Sequence, residues 1–247
     1  MFFINMNYKT RYDLEDWLSL HNLDADKVGQ ILLRICADFP DEETKEYAVT
    51  SMTAQQVWET TAQAYCKQFD DIKTEIQTVM DKCECAFDAP ADEQPFTLNR
   101  GRDAMPFVSL CYRNSAADAL CIAHEFGHAL QTYLTGEKFI PPIHREVAAF
   151  LGEEIFLEYM SRHDPQTAVC LQDAWKQDNN FYLLQDVANL RRCLGDPTTK
   201  YDYRWNYPIA RFCSNTIMKL FSKKQLLKSI SGKFNIETFA RETGVSI

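Results

Sequence analysis

The chain has 247 residues, of which 46% are hydrophobic and 25% charged, a composition typical of a globular protein with one sizeable core. Its formal net charge of -9 and the lack of a long Lys/Arg cluster argue against nucleic acid or an anionic membrane as a partner. No apolar run approaches the roughly 18 residues of a membrane span. The mixed segment 1–17 predicts neither a secretory signal nor an anchor. We expect a single domain over 1–247, with 1–52 as a helical segment of open role and 53–247 as its core.

Nine cysteines lie at positions 36, 66, 83, 85, 111, 121, 170, 193 and 213. An odd number in a chain of this size indicates reduced thiols in a cytoplasmic protein rather than disulfide staples. The Cys83-Glu84-Cys85 triplet lacks both the wider spacing and the second cysteine pair of a zinc clip.

Helical patterns fill the N-terminal third. Val28, Ile31, Leu32 and Ile35 share one helix face, and the Phe39-Pro40 step ends that helix. Thr53 and Gln56 form a capping box, after which apolar residues recur at steps of four and three as far as Cys83. This pattern predicts one long amphipathic helix.

Residues 86–106 carry Pro and Gly among charged residues, which predicts an irregular connection. Phe107–Tyr112 reads as a short strand. Ser115 with Asp118 forms a second capping box, which opens a helix that ends near Gly136. Further helices are predicted over about 144–164, 166–195 and 207–230. The fold class is therefore mainly α, with a small β element next to the helix that begins after Ser115.

That helix carries His124-Glu125-Phe126-Gly127-His128. Two histidines four residues apart on one helix face can bind a single zinc ion, and the residue after the first directs a carboxylate at the open coordination position. The alternative is a pair of core histidines beside a solvated glutamate. Burying two imidazoles and a carboxylate on an apolar helix costs several kcal/mol without compensation, which favours the metal.

A catalytic zinc requires a third protein ligand. Glu146 lies in the first turns of the next predicted helix, where two antiparallel helices joined by a loop would bring it to the metal. Glu153 lies two turns further along the same face, so we assign it to orienting a histidine through its free N–H. Glu154 is expected to be solvated.

The segments that follow resemble the catalytic core of the thimet oligopeptidase and oligoendopeptidase F family of zinc metallopeptidases: Pro106–Tyr112, Asn114, Asp118, Ala123–Leu130, Glu146-Val147-Ala148 and Glu153. The resemblance covers roughly 95–160. It implies a zincin-like helical catalytic domain with one Zn²⁺ per chain, bound by His124, His128 and Glu146, with Glu125 as general base.

The chain departs from this family in two respects. Its members are usually about twice this length, with an N-terminal helical half over the active site, and they carry a late histidine. Here no histidine follows His163. The donor that stabilises the tetrahedral oxyanion must then be Tyr201, Tyr203 or Tyr207, and we select Tyr203 and Tyr207. A half-buried tyrosine with its hydroxyl in water is the alternative for each.

An exposed strand edge beside the metal can hold an extended peptide through main-chain hydrogen bonds. Val108, Ser109 and Leu110 are the candidates, unless their strand lies inside the sheet. His144, two residues before Glu146, is a further candidate for substrate contact.

The leading hypothesis is a zinc-dependent endopeptidase or oligopeptidase that acts on short or unstructured peptides. Two alternatives stay open, a catalytically weak zinc protein that binds peptides and a processing protease whose partner subunit supplies the missing half. Substrate, oligomeric state and physiological metal stay open as well.

Overall fold

A computed structural model describes residues 12–38, 46–101, 104–136 and 138–244. Helices dominate these ranges and a small sheet lies beside them, which confirms the predicted mainly α fold. The helices are α1 Leu14–Leu20, α2 Ala25–Asp38, α3 Ala54–Gln68, α4 Lys73–Lys82, α5 Ala116–Thr135, α6 Pro142–His163, α7 Pro165–Asn180, α8 Asp186–Cys193, α9 Asn206–Leu220, α10 Lys223–Lys228 and α11 Ile236–Thr243; the strands are β1 Glu84–Ala86, β2 Phe96–Leu98 and β3 Phe107–Ser109. The predicted Phe39-Pro40 helix end and the predictions for 1–11 lie outside the described residues.

The long helix predicted from Thr53 to Cys83 is two helices. The Thr53 capping box begins α3 as expected, but Phe69 has an extended backbone, φ -130° and ψ 98°, and a 3-10 turn precedes α4. The indole N–H of Trp58 on α3 donates to the carbonyl of Met80 on α4, over 3.2 Å, so the two helices fold against each other. The single-helix prediction was wrong because the apolar period continues in phase across the break, and both stripes are buried.

The sheet has the order β1-β3-β2, with β1 parallel and β2 antiparallel to β3. The strand predicted at Phe107–Tyr112 exists, but it is shorter and occupies the centre. The prediction of an exposed edge there was therefore wrong, and Val108, Ser109 and Leu110 are buried. Strand β2 lies inside the segment that was predicted to be irregular. The sequence did not reveal it because three residues are too few to show an alternating pattern.

The backbones of α5 and α6 are in direct contact at two glycines. A Cβ atom built at Gly127 would lie 2.8 Å from both the carbonyl oxygen of Ala148 and the Cα of Ala149. One built at Gly152 would lie 2.5 Å from the carbonyl oxygen of Ala123. Later residues of α5 thus meet earlier residues of α6, so the helices are antiparallel, as predicted.

The C-terminal helices depart from their predicted lengths. A π-helical turn at Phe181–Gln185 separates α7 from α8, and the helix predicted to reach Ile230 ends at Leu220, after which Ser222 caps α10. No helix in the described ranges combines the length and the apolar character needed to cross a membrane. The structure describes the side chains of eight of the nine cysteines, and those eight are free thiols.

The N-terminus of α6 is capped from a distant part of the chain. Pro141 offers it no side-chain cap, but the Nε2 of His21 accepts from the backbone N–H of Ile143 over 3.2 Å. The Nδ1–H of His21 donates to the carbonyl of Trp17 over 2.8 Å. Both ring nitrogens are used by the neutral tautomer, and burial lowers the pKa of His21 to about 4.

Replacing Gly152 by Ala should destabilise the protein by about 1–3 kcal/mol, because the new methyl group overlaps the backbone of α5. Gly29→Ala is the matched control: it lies within α2 with open space around its Cα, so the same change should stabilise by roughly 0.5–1 kcal/mol. Urea denaturation measures both. Equal effects of the two substitutions would contradict the close approach of α5 and α6.

The His21 cap predicts a pH effect on stability. The folded pKa of about 4 lies below the usual 6.5, so the unfolded chain binds the proton more readily and the contribution of His21 is lost as pH falls from about 6.5 to 4. Between pH 7 and pH 4, the free energy of unfolding of wild type should drop by roughly 3 kcal/mol relative to His21→Gln. Urea denaturation of both proteins with chelator present measures this, and a pH-independent difference would contradict the neutral cap.

Candidate metal centre

The antiparallel pair α5 and α6 brings three side chains of metal-ligating type together. His124 and His128 lie one turn apart on α5, and Glu146 faces them from the second turn of α6. One ligating atom from each residue falls within 4.8 Å of the others. His124 Nε2 is 3.3 Å from Glu146 Oε2, and His128 Nε2 is 3.5 Å from Glu146 Oε1. The predicted meeting of these three residues is present in the structure.

The two nitrogen–oxygen distances, each to a different oxygen of Glu146, are close to those between neighbouring ligands of a zinc ion. Zinc bonds of 2.0–2.2 Å to nitrogen and oxygen in a tetrahedron place neighbouring ligand atoms roughly 3.3–3.5 Å apart. Glu146 Oε2 is buried and accepts no hydrogen bond from the described residues. It faces His124 Nε2, whose lone pair is exposed because the Nδ1–H of the same ring donates to Glu153. Two lone pairs at this distance require a positive charge between them.

The pKa values of the site also indicate a positive charge between His124 and Glu146. Burial lowers the pKa of His124, but the adjacent carboxylates of Glu146 and Glu153 outweigh it and raise that pKa to about 10. Burial raises the pKa of Glu146, but the nearby His128 and His124 hold it well below its usual range. A proton on His124 therefore occupies the place that a metal cation would take.

Two further side chains fix the ligands. Oε1 of Glu153 accepts from His124 Nδ1 over 2.8 Å, which is the contact predicted for Glu153. The hydroxyl of Tyr203 donates to Oε1 of Glu146 over 2.6 Å. Tyr203 as a whole is 39% exposed, while Glu146, which its hydroxyl contacts, is buried. Glu154, which was expected to be solvated, is partly buried instead, and burial raises its pKa to about 7.

Glu125 has a partner that the sequence did not reveal. Its carboxylate is 4% exposed, and the hydroxyl of Thr97 on β2 donates to Oε2 over 2.6 Å. The same hydroxyl lies 3.2 Å from the carbonyl oxygen of Glu125. The alternation of Phe96, Thr97 and Leu98 was the one available signal, and it is too short to be distinctive. Thr97 restricts the orientation of the carboxylate predicted to act as general base.

The other predicted residues have different surroundings. Tyr207 packs edge-on to Tyr203 at 5.8 Å between ring centroids; burial raises its pKa, and the charges of Glu146 and Glu125 add to this. The ring of His144 packs against Phe234 at 5.0 Å, and its contact with substrate stays a prediction. Val108, Ser109 and Leu110 cannot offer a strand edge, because β3 is paired on both sides.

No protein-family model matches the sequence, and no curated protein matches it. Two solved structures share its fold. One is a protein assigned as an oligoendopeptidase F from Bacillus anthracis str. Ames, with a TM-score of 0.57 and 10% identity over 97% of this chain and 53% of that one. The other is PZ peptidase A with an inhibitor, with a TM-score of 0.55 and 11% identity over 94% of this chain and 54% of that one. The chain spans about half the length of each, and at such identities the likeness shows the fold.

Zinc should stabilise the metal-free protein, by about 4 kcal/mol when free Zn²⁺ is 1,000 times its Kd. Glu146→Gln and His128→Gln should lose most of that gain, because each removes a ligand. Glu158→Gln, at an exposed position of the same helix, is the matched control and should respond like wild type. Thermal unfolding with and without Zn²⁺ measures the effect. An undiminished response of Glu146→Gln would contradict the predicted ligand set.

Proposed function

We propose that this protein is a zinc-dependent metallopeptidase with the thimet oligopeptidase and oligoendopeptidase F type of catalytic core. One observation carries the proposal: His124 and His128 lie on α5, the helix that also holds Glu125, and their ligating atoms lie within 4.8 Å of each other and of one from Glu146 on α6. The shared fold of two peptidases supports it. Because the chain spans about half of each, the reaction and the substrate belong to the proposal.

In the proposed reaction, His124, His128 and Glu146 would hold a zinc ion, which would supply a Lewis acid for the scissile carbonyl and for water. Glu125 takes one proton from the attacking water while the new C–O bond forms. The C–N bond then breaks as Glu125 returns that proton to the leaving amine. Thr97 holds the Glu125 carboxylate in one orientation throughout. The second proton of the water also passes to the amine, so the products are a carboxylate and an ammonium group.

The developing oxyanion requires a hydrogen-bond donor. The hydroxyl of Tyr203 already reaches Glu146, and Tyr207 lies against Tyr203. Rotation of either hydroxyl toward the substrate would place a donor at the oxyanion, an interaction worth about 3–4 kcal/mol in other hydrolases. We propose Tyr203 first, because its hydroxyl is bonded to a residue of the ligand set.

Strand β2 is the better candidate for peptide binding than β3. Within the described ranges it pairs on one side, with β3, and its Thr97 contacts Glu125. A peptide that added to the other side of β2 would pass along the general base in an extended conformation. Main-chain pairing of this kind favours short or unstructured peptides, because a folded substrate has no free strand to offer.

Glu125→Gln should lower the rate of cleavage of a quenched fluorescent peptide library at least a hundredfold, while one Zn²⁺ per chain remains bound. The amide keeps the shape of the side chain but cannot take the proton. Persistent cleavage by this variant would exclude Glu125 as the base. If the wild type binds zinc and peptide but mass spectrometry finds the library peptides intact, the peptide-binding alternative is favoured.

Thr97→Val should lower kcat/KM roughly 10- to 100-fold, because a hydrogen bond to a charged group is worth about 1.5–3 kcal/mol. Valine keeps the shape of threonine, and Thr97→Ser keeps the hydroxyl and should retain most of the activity. Zinc affinity should stay constant in both variants. Equal losses in Thr97→Val and Thr97→Ser would show that packing, not the hydroxyl, matters at β2.

A further inference from the structure

Arg211, near the middle of α9, is buried as completely as any core residue. Its exposed fraction is 0%, and among the described residues no other arginine or lysine is buried. The guanidinium lies over the ring of Phe150 at 4.2 Å, with Tyr182 at 5.1 Å and Trp175 at 5.3 Å. Cation–π contacts offset part of the cost of desolvation, but a buried charge requires a counter-charge as well.

That counter-charge is Glu153. Arg211 Nη1 donates to Glu153 Oε2 over 2.6 Å, while Glu153 Oε1 accepts from His124 Nδ1 over 2.8 Å. The two oxygens of one carboxylate therefore connect α9 to α5 through α6. Other carboxyl groups near Arg211 are less well compensated: burial raises the pKa of Asp178 to about 6 and that of Glu154 to about 7.

We propose that Arg211 is a positioning residue of the metal centre, which holds Glu153 so that His124 presents its Nε2 to zinc. The terminal torsion of a glutamate is broad, so one hydrogen bond leaves the carboxylate free to turn. A second bond, from a guanidinium that is itself fixed between aromatic rings, removes that freedom. The carboxylate then keeps the Nδ1–H of His124 directed at Oε1, which leaves Nε2 facing Glu146. This proposal rests on the proposed zinc site.

The test is a double-mutant cycle read as Zn²⁺ affinity, measured by competition with a chromophoric chelator. Arg211→Met and Glu153→Gln should each weaken zinc binding roughly 10- to 100-fold, as loss of an outer partner of a ligand does in other zinc proteins. The double variant should bind no more weakly than Glu153→Gln alone, because Arg211 acts through Glu153. Additive losses, or an unchanged affinity in Arg211→Met, would overturn the proposal.

Ile217→Ala is the matched control, since Ile217 lies fully buried on the same helix and its truncation should destabilise the fold without changing zinc affinity. If Arg211→Met does not fold, Arg211→Lys replaces it in the cycle, because it keeps the charge and loses the fixed fork. Arg211→Lys should bind zinc more weakly than wild type, whereas adding it to Glu153→Gln should cause no further loss. An unchanged affinity in the single variant, or a further loss in the double variant, overturns the proposal. A wild type that binds no zinc would instead refute the proposed function.

Discussion

Helices α5 and α6 approach so closely that a side chain fits at neither Gly127 nor Gly152. This contact sets the distance between the two residue sets that form the candidate metal centre. His124 and His128 project from one helix, and Glu146 and Glu153 from the other, at separations of 2.8–3.5 Å. Because packed helices cannot slide continuously, the ligand geometry is a property of the helix pair rather than of a loop.

The charges of the site explain why so many supporting contacts surround it. Glu125, Glu146 and Glu153 are all buried, and two imidazoles lie among them. Each carboxylate has a specific donor: Thr97 for Glu125, Tyr203 for Glu146, and His124 with Arg211 for Glu153. These donors come from β2, α5, the segment before α9 and α9 itself, so distant parts of the chain hold the centre together. A cation at the ligand set would complete the compensation.

Local patterns in the sequence predicted much of this arrangement. The capping box at Ser115 begins α5 where expected, and Glu153 accepts from His124 as predicted. Glu146 lies beside both histidines, and its bond to a metal stays a prediction. The break between α3 and α4 was missed because both halves keep the same apolar period. Thr97 and Arg211 were missed for a different reason: their partners are 28 and 58 positions away, and nothing in the flanking residues marks either one.

The central claim is that His124, His128 and Glu146 bind one zinc ion. Anomalous diffraction at the zinc edge, from crystals of the protein grown with Zn²⁺, tests it most directly. The account predicts a single strong peak within roughly 2.0–2.2 Å of both histidine Nε2 atoms and a Glu146 oxygen. A zinc-saturated crystal with no peak at these atoms, or with its peak at other residues, would contradict it.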